Sequence, residues 1–146
     1  MNAFAHIASE DLRAKPVARF IVEPKDKGDA SEASRQAGFR DDLKFVSRGI
    51  KSWGVPNAGK RGFKAQARAK KEGLTAGVFD EHYRAAGGWF AALEWKDGDG
   101  DLSREQIEWG NDMLDCGFHV ACVRTSPFAL ELFRQWGAPI VERVGL

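Results

Sequence analysis

Glu94 and Lys96 close an apolar run that begins at Trp89 (Trp-Phe-Ala-Ala-Leu-Glu-Trp-Lys), so a carboxylate and an amine stand two residues apart at the end of a strand-like segment. In extended chain, positions i and i+2 share a face, which points Glu94 and Lys96 one way and Leu93 and Trp95 the other. A desolvated carboxylate is costly unless it is paired, protonated or metal-bound, so this strand end needs partners from elsewhere. Asp80 lies on the preceding strand-like segment. Adjacent antiparallel strands bring side chains within about 5 Å, close enough for two carboxylates to share a divalent cation. Such a pair suits Mg²⁺, which would polarise a phosphate and acidify a water while Lys96 orients that water or stabilises charge on phosphorus. The chemistry is hydrolysis of a phosphodiester. Gln106 begins the next helix in line with Gly110 and Met113. It can therefore point back at the sheet and hydrogen-bond Lys96 or the water, with small Gly110 permitting the approach.

The acidic-x-Lys spacing alone decides little, because it occurs at Glu23-Pro24-Lys25, Asp42-Leu43-Lys44 and Glu94-Trp95-Lys96. The first contains Pro, which rarely sits inside a sheet, and the second falls on a predicted helix, where i and i+2 do not face each other. Only the third ends an apolar strand. The competing reading of Glu94 and Lys96 is a strand end emerging into solvent with a surface ion pair.

The elements that must position these groups read as an α/β domain. Residues 1–30 hold one short strand candidate at Val17–Val22 and a polar linker from Pro24 to Ala30. Ser31 caps a predicted helix through Glu32, Phe39, Leu43 and Val46 towards Ile50. A turn-rich stretch from Trp53 to Gly62 follows, then a helix from Phe63 to Glu72 stopped by Gly73. Strands at Val78–Tyr83 and Trp89–Lys96, joined around Gly87-Gly88, suggest a hairpin. After a loop from Asp97 to Asp101, Ser103 and Gln106 have capping-box spacing, with Leu102 and Ile107 placed as a hydrophobic staple. The helix they open runs to about Gly117. Phe118–Val123, apolar on both faces, reads as an interior strand, and Ser126-Pro127 opens a last helix to Trp136.

With 146 residues and 43% hydrophobic content, the chain fits one compact domain with its own core. The net charge is only +1, yet nine Lys or Arg and no Asp or Glu lie between Lys44 and Lys71. Segregation of that kind points to a polyanionic partner. Lys60, Lys64, Arg68 and Lys71 fall at helical spacing, and Lys60, Arg61, Lys64 and Arg68 are the expected phosphate contacts. Cys116 and Cys122 lack CxxC spacing and adjoin apolar runs, which predicts buried reduced thiols. A cytoplasmic setting is expected: no apolar stretch approaches a membrane span, and the amino terminus carries no basic-then-apolar leader.

One ordered set of motifs spans residues 31 to about 136: Ser31-Glu32; Pro56-Asn57-Ala58-Gly59-Lys60-Arg61; the Ala-rich basic helix closed by Glu72-Gly73; and Ala76-Gly77-Val78-Phe79-Asp80. It continues with Leu93-Glu94-Trp95-Lys96, Leu102-Ser103-Arg104-Glu105-Gln106 and Gly117-Phe118. Together these resemble stand-alone VRR-NUC domains of the PD-(D/E)XK nuclease superfamily. The resemblance implies a restriction-endonuclease-like core, a mixed central β-sheet flanked by helices, over residues 31–146 behind an N-terminal extension of residues 1–30. It implies Mg²⁺ or Mn²⁺ bound by Asp80, Glu94 and the Trp95 carbonyl, catalysis by Lys96, and accessory roles for Gln106 and Glu32. It also implies structure-selective cleavage of branched or four-way junction DNA by a homodimer. Phe79 departs from the family, which usually has Pro there; that residue shapes backbone and does not ligate metal. Glu32 has a competing reading as a solvated first-turn residue favoured by the helix dipole.

Other motifs resolve against their namesakes. Gly54–Arg61 approaches the phosphate-binding loop GxxxxGK[ST], but Arg61 stands where a hydroxyl should hold Mg²⁺ and no buried strand precedes it. Asp97, Asp99, Asp101 and Glu108 copy calcium-loop positions, yet Leu102 replaces the required Gly. His82 shares the Asp80 face but reads as a surface or hydrogen-bonded residue, and Trp53 as a core residue or a base-stacking one. The main rival function is a DNA-binding module of the same fold without catalysis; an RNase on the same scaffold is a third.

Overall fold

The structure, a computed structural model, describes residues 14–56 and 63–141. Its elements are β1 (Ile21–Val22), α1 (Glu32–Val46), β2 (Lys51–Gly54), α2 (Phe63–Lys71), β3 (Glu81–Ala85), β4 (Trp89–Trp95), α3 (Arg104–Asp115), β5 (His119–Val123) and α4 (Ser126–Gln135). They form an α/β arrangement around an open five-stranded sheet of order β1-β5-β4-β3-β2. The sheet is mixed: β1, β5 and β4 are parallel, while β3 and β2 run antiparallel to their neighbours. Helices α1 and α4 cover one face and α3 the other. Among the described residues no helix is long and apolar enough to cross a membrane.

Alternation along β4 divides the core. Ala91, Leu93 and Trp95 enter the cluster beneath α1 and α4, whereas Ala92 enters the cluster beneath α3. Phe39 of α1 centres the first, its ring 5.4 Å from Trp95, 5.6 Å from Tyr83 and 5.2 Å from Phe133. Truncating a buried aromatic of this kind costs about 3–5 kcal/mol. The second cluster is built on Phe79, edge-on to Phe20 at 5.3 Å and tilted on Trp109 at 4.8 Å. Gly110 makes that packing possible, because a Cβ there would lie 2.3 Å from Phe20 and 2.6 Å from Phe79. Its small size thus serves the aromatic pair and not the approach of Gln106.

Local signals set the helix starts. Ser31 Oγ accepts from Ser34 N at 3.1 Å, and Ser103 and Gln106 form both bonds of a capping box. Several boundaries differ from the predicted ones, among them β1, which holds only Ile21–Val22 of the expected Val17–Val22. Helix α1 stops at Val46, where Ser47 turns extended, and Lys51–Gly54 forms an edge strand in place of the turn-rich stretch. Trp53, on that edge, is 45% exposed and is not a core residue. Strand β3 begins at Glu81, leaving Asp80 on the bend before it. Strand β5 begins at His119, leaving Phe118 outside it and exposed. Cys122 is buried in β5 as expected, its thiol pushed up to about 12 by burial, but Cys116 is exposed at the end of α3; both are free.

Gly77 carries the tightest backbone approach near the sheet end. Its φ is +86°, and a Cβ would stand 2.3 Å from the Glu105 carbonyl oxygen. Gly77→Ala is therefore expected to cost about 2–4 kcal/mol, from left-handed strain and displacement of the start of α3. Thermal unfolding followed by circular dichroism should show a fall of roughly 5–15 °C; an unchanged midpoint would contradict the fixed contact.

Candidate active site

The end of β4, the bend before β3, and the starts of α1 and α3 meet at one place. Glu94, 1% exposed, is held from three sides. Gln106 Nε2 donates to its Oε1 at 2.6 Å, Lys96 Nζ lies 3.4 Å from the same oxygen, and the Asp80 backbone N–H donates to its Oε2 at 3.1 Å. Asp80 is held reciprocally, its Oδ2 accepting from the Trp95 N–H at 3.0 Å. Glu32, in the first turn of α1, brings a third carboxylate: one oxygen each from Glu32, Asp80 and Glu94 lie within 4.8 Å of one another. The solvated alternative for Glu32 is thereby replaced by a half-buried place in the cluster. Glu94 and Lys96 are both buried, so the surface ion-pair reading does not hold.

Burial, then the charge of Asp80, raises the Glu94 carboxyl to about 8, outweighing the attraction of Lys96; Glu32 adds to the rise. Three acidic groups this close repel unless a cation or proton sits among them. Hard carboxylate oxygens spanning less than 5 Å suit Mg²⁺ or Mn²⁺, whose oxygen ligands lie at about 2.0–2.2 Å. The donor set fits such an ion, which the carboxylates of Asp80, Glu94 and Glu32 would hold. The Trp95 indole is committed to the opposite face, against Phe39 and Tyr83.

Gln106 takes a role adjacent to the predicted one. It bonds Glu94, not Lys96, and its Oε1 simultaneously accepts from the Ser103 N–H at 2.9 Å. One amide thus caps α3 and orients the carboxylate.

Sequence reasoning missed Glu81. This residue is 1% exposed and accepts from Gln36 Nε2 at 2.9 Å, Arg40 Nη1 at 3.2 Å and the Tyr83 hydroxyl at 3.1 Å. The Trp95 indole N–H donates to that same hydroxyl at 3.3 Å. Glu32, Gln36 and Arg40 form one i, i+4, i+8 stripe of α1, so the bonds to Glu81 lock the register that delivers Glu32. The signal, a polar stripe on a capped helix, is present but silent without its partner on β3.

The other acidic-x-Lys triplets are structural. Buried Glu23 accepts from the backbone N–H groups of Arg124 and Thr125, tying the start of α4 to the chain leaving β1. Asp42 accepts from the Ser126 hydroxyl, joining α1 to α4. Arg124, 3% exposed, donates to the carbonyls of Glu23, Asp97 and Gly100 and so fixes the loop after Lys96. Within that loop Asp97 Oδ1 accepts from Asp99 N and Gly100 N, a turn and not a calcium loop. His82 stands among rings, stacked on Trp109 at 5.7 Å with 11° between planes, and burial lowers its pKa.

The basic segment leaves and rejoins the fold beside the acidic cluster. Val55 N donates to the Asp80 carbonyl at 2.8 Å as the chain departs β2, and Gly77 returns against Glu105 and Gln106. Lys60 and Arg61 lie outside the described residues. Lys64, Arg68, Lys70 and Lys71 project from α2 exposed, with Arg68 paired to Glu72 at 2.9 Å.

Comparison of the chain with protein-family models, with curated proteins and with solved structures gives no match.

Proposed function

We propose that this chain is a metal-dependent DNA endonuclease of the VRR-NUC kind, built on a restriction-endonuclease-like core and hydrolysing phosphodiester bonds. The observation that carries the reading is the convergence of Glu32 of α1, Asp80 on the bend before β3 and Glu94 of β4 within 4.8 Å, with the Lys96 amine 3.4 Å from Glu94. A bound Mg²⁺ or Mn²⁺ would supply Lewis acidity toward a phosphate oxygen and make a water more acidic. Lys96, held at the strand end, orients the attacking water and stabilises the charge that grows on the phosphoryl oxygens. Gln106 and the Asp80 N–H hold Glu94 in one orientation throughout. The exposed cations of α2 contact the backbone of the nucleic acid and so position it without reading its sequence. Phe79 occupies the residue before Asp80 as a buried core ring, a role compatible with an intact ligand at Asp80. Selectivity for branched or four-way junction DNA and action as a homodimer complete the proposal on the strength of the resemblance.

The test incubates purified protein with labelled four-way junction, flap, single-stranded and linear duplex DNA in Mg²⁺, Mn²⁺ or EDTA, beside Asp80→Asn. Cutting is expected in either metal, none in EDTA, and a loss of at least about 10³-fold in the variant. Salt-sensitive binding with no cutting under any condition would leave a DNA-binding module in place of the enzyme.

A further inference from the structure

The sheet face that carries Glu94 continues, past Trp109 of α3 where it stacks on His82, into a strip of rings and cations. Cross-strand register places Trp53 opposite His82 and His82 opposite Ala92; the next row holds Lys51, Arg84 and Phe90. Glu94 lies two residues beyond Ala92 on the same face of β4. The two rows therefore stand about 7 Å and 14 Å from the acidic cluster along the strands. The rings touch in series: Trp53 to His82 at 6.0 Å, His82 to Phe90 at 5.4 Å, and Phe90 to Phe118 at 5.5 Å. Trp53 is 45% and Phe118 44% exposed.

Three features of this strip are unfavourable in the isolated chain. A Trp on a short, fully exposed edge strand leaves a large apolar surface in water. Lys51 and Arg84 face each other as a like-charge pair, which destabilises a sheet, and no acidic partner engages either among the described residues. The buried Nε2 of His82 has no hydrogen-bond partner among the described residues. A protein surface would need carboxylates to answer the two cations and apolar groups to answer the rings. One ligand answers both with a single repeating unit: a nucleotide chain, with a phosphate for each cation and a flat base for each ring.

We propose that exposed Trp53, with the half-buried Phe90 beyond His82 and with Lys51 and Arg84, is a stacking platform for unpaired nucleotides next to the cleavage point. The substrate would then be DNA with a single-stranded segment on one side of the scissile phosphate. This rests on the nuclease reading for the position of the cut, but its binding test does not.

Binding is measured by fluorescence anisotropy in EDTA, so that no cutting occurs. The probes are a blunt duplex, the same duplex with a single-stranded tail, and one whose tail is abasic. The parent should prefer the tailed duplex. Trp53→Ala should weaken the tailed complex by roughly ten-fold and the blunt one by less than about two-fold, with Trp53→Phe recovering most of the loss. Lys51→Ala with Arg84→Ala should weaken tailed and abasic probes alike. An abasic tail that binds as tightly as a natural one would overturn the platform, as would an unchanged tail preference in Trp53→Ala. Dissociation of a dimer by Trp53→Ala with tail preference intact would assign the strip to contact between copies and overturn it too. Tail preference without Mg²⁺-dependent cutting would defeat the nuclease reading and leave the platform standing; cutting without tail preference would do the reverse.

Discussion

Glu94→Gln is expected to abolish cutting, by at least about 10³-fold, while raising the melting temperature of the metal-free protein at pH 8. The two effects have one cause. The Glu94 carboxyl is raised from an ordinary 4.5 to about 8 by burial and by Asp80, so the folded state holds this proton more tightly than the unfolded chain does. Between those values the native protein binds more protons, and its stability falls as pH rises through the window. The loss is on the order of 3–5 kcal/mol when complete. The glutamine amide keeps an acceptor for Gln106 and gives up one for the Asp80 N–H, a cost of about 1 kcal/mol. Removing the charge therefore stabilises the empty site on balance. In EDTA the parent should melt lower at pH 8 than at pH 5, and Mg²⁺ should restore much of the difference; the variant should respond little to either. A parent indifferent to both pH and Mg²⁺, beside a variant that melts lower, would show that the carboxylates do not form a cation site.

Lys96→Met should lower kcat by about 10²–10⁴-fold and leave the affinity for DNA in EDTA within about two-fold. Methionine keeps an apolar stem of similar length at a residue only 7% exposed, so the change is confined to the amine. Loss of that charge also removes an attraction that pulls the Glu94 carboxyl downward, so the alkaline loss of metal-free stability should deepen and extend to higher pH. Single-turnover cleavage with saturating protein, read beside anisotropy binding, separates the step from the encounter. Equal losses in binding and cleavage would make Lys96 one more phosphate contact.

What was legible in the sequence was local. Ser31 and Ser103 announce their helices because a capping oxygen acts within three residues, and the Glu94-Trp95-Lys96 alternation holds because period two is a property of any extended chain. The convergence of Glu32 with Asp80 and Glu94 came from the family resemblance; no spacing along the chain contains it. Strand β2 was illegible because Lys51-Ser-Trp-Gly has no buried face and is a strand only through its pairing with β3. Glu81 was illegible for the complementary reason: a buried carboxylate looks like a surface one until Gln36 and Arg40 arrive from 45 and 41 residues away. Cys116 and Gly110 show the same limit, since exposure and close approach are properties of the packed chain.

The capping box of α3 reaches beyond helix stability. At the third position of such a box Glu and Gln are interchangeable, since either offers an oxygen to the cap N–H. Here that position is Gln106, whose other end faces Glu94 at 2.6 Å. A glutamate would satisfy the helix equally and set a second carboxylate against the first. The choice between two residues that the backbone treats as synonyms is thus made by the carboxylate that Gln106 touches, and the amide cannot flip without orphaning one partner or the other. A position that looks degenerate in a capping table becomes the most discriminating one in the helix.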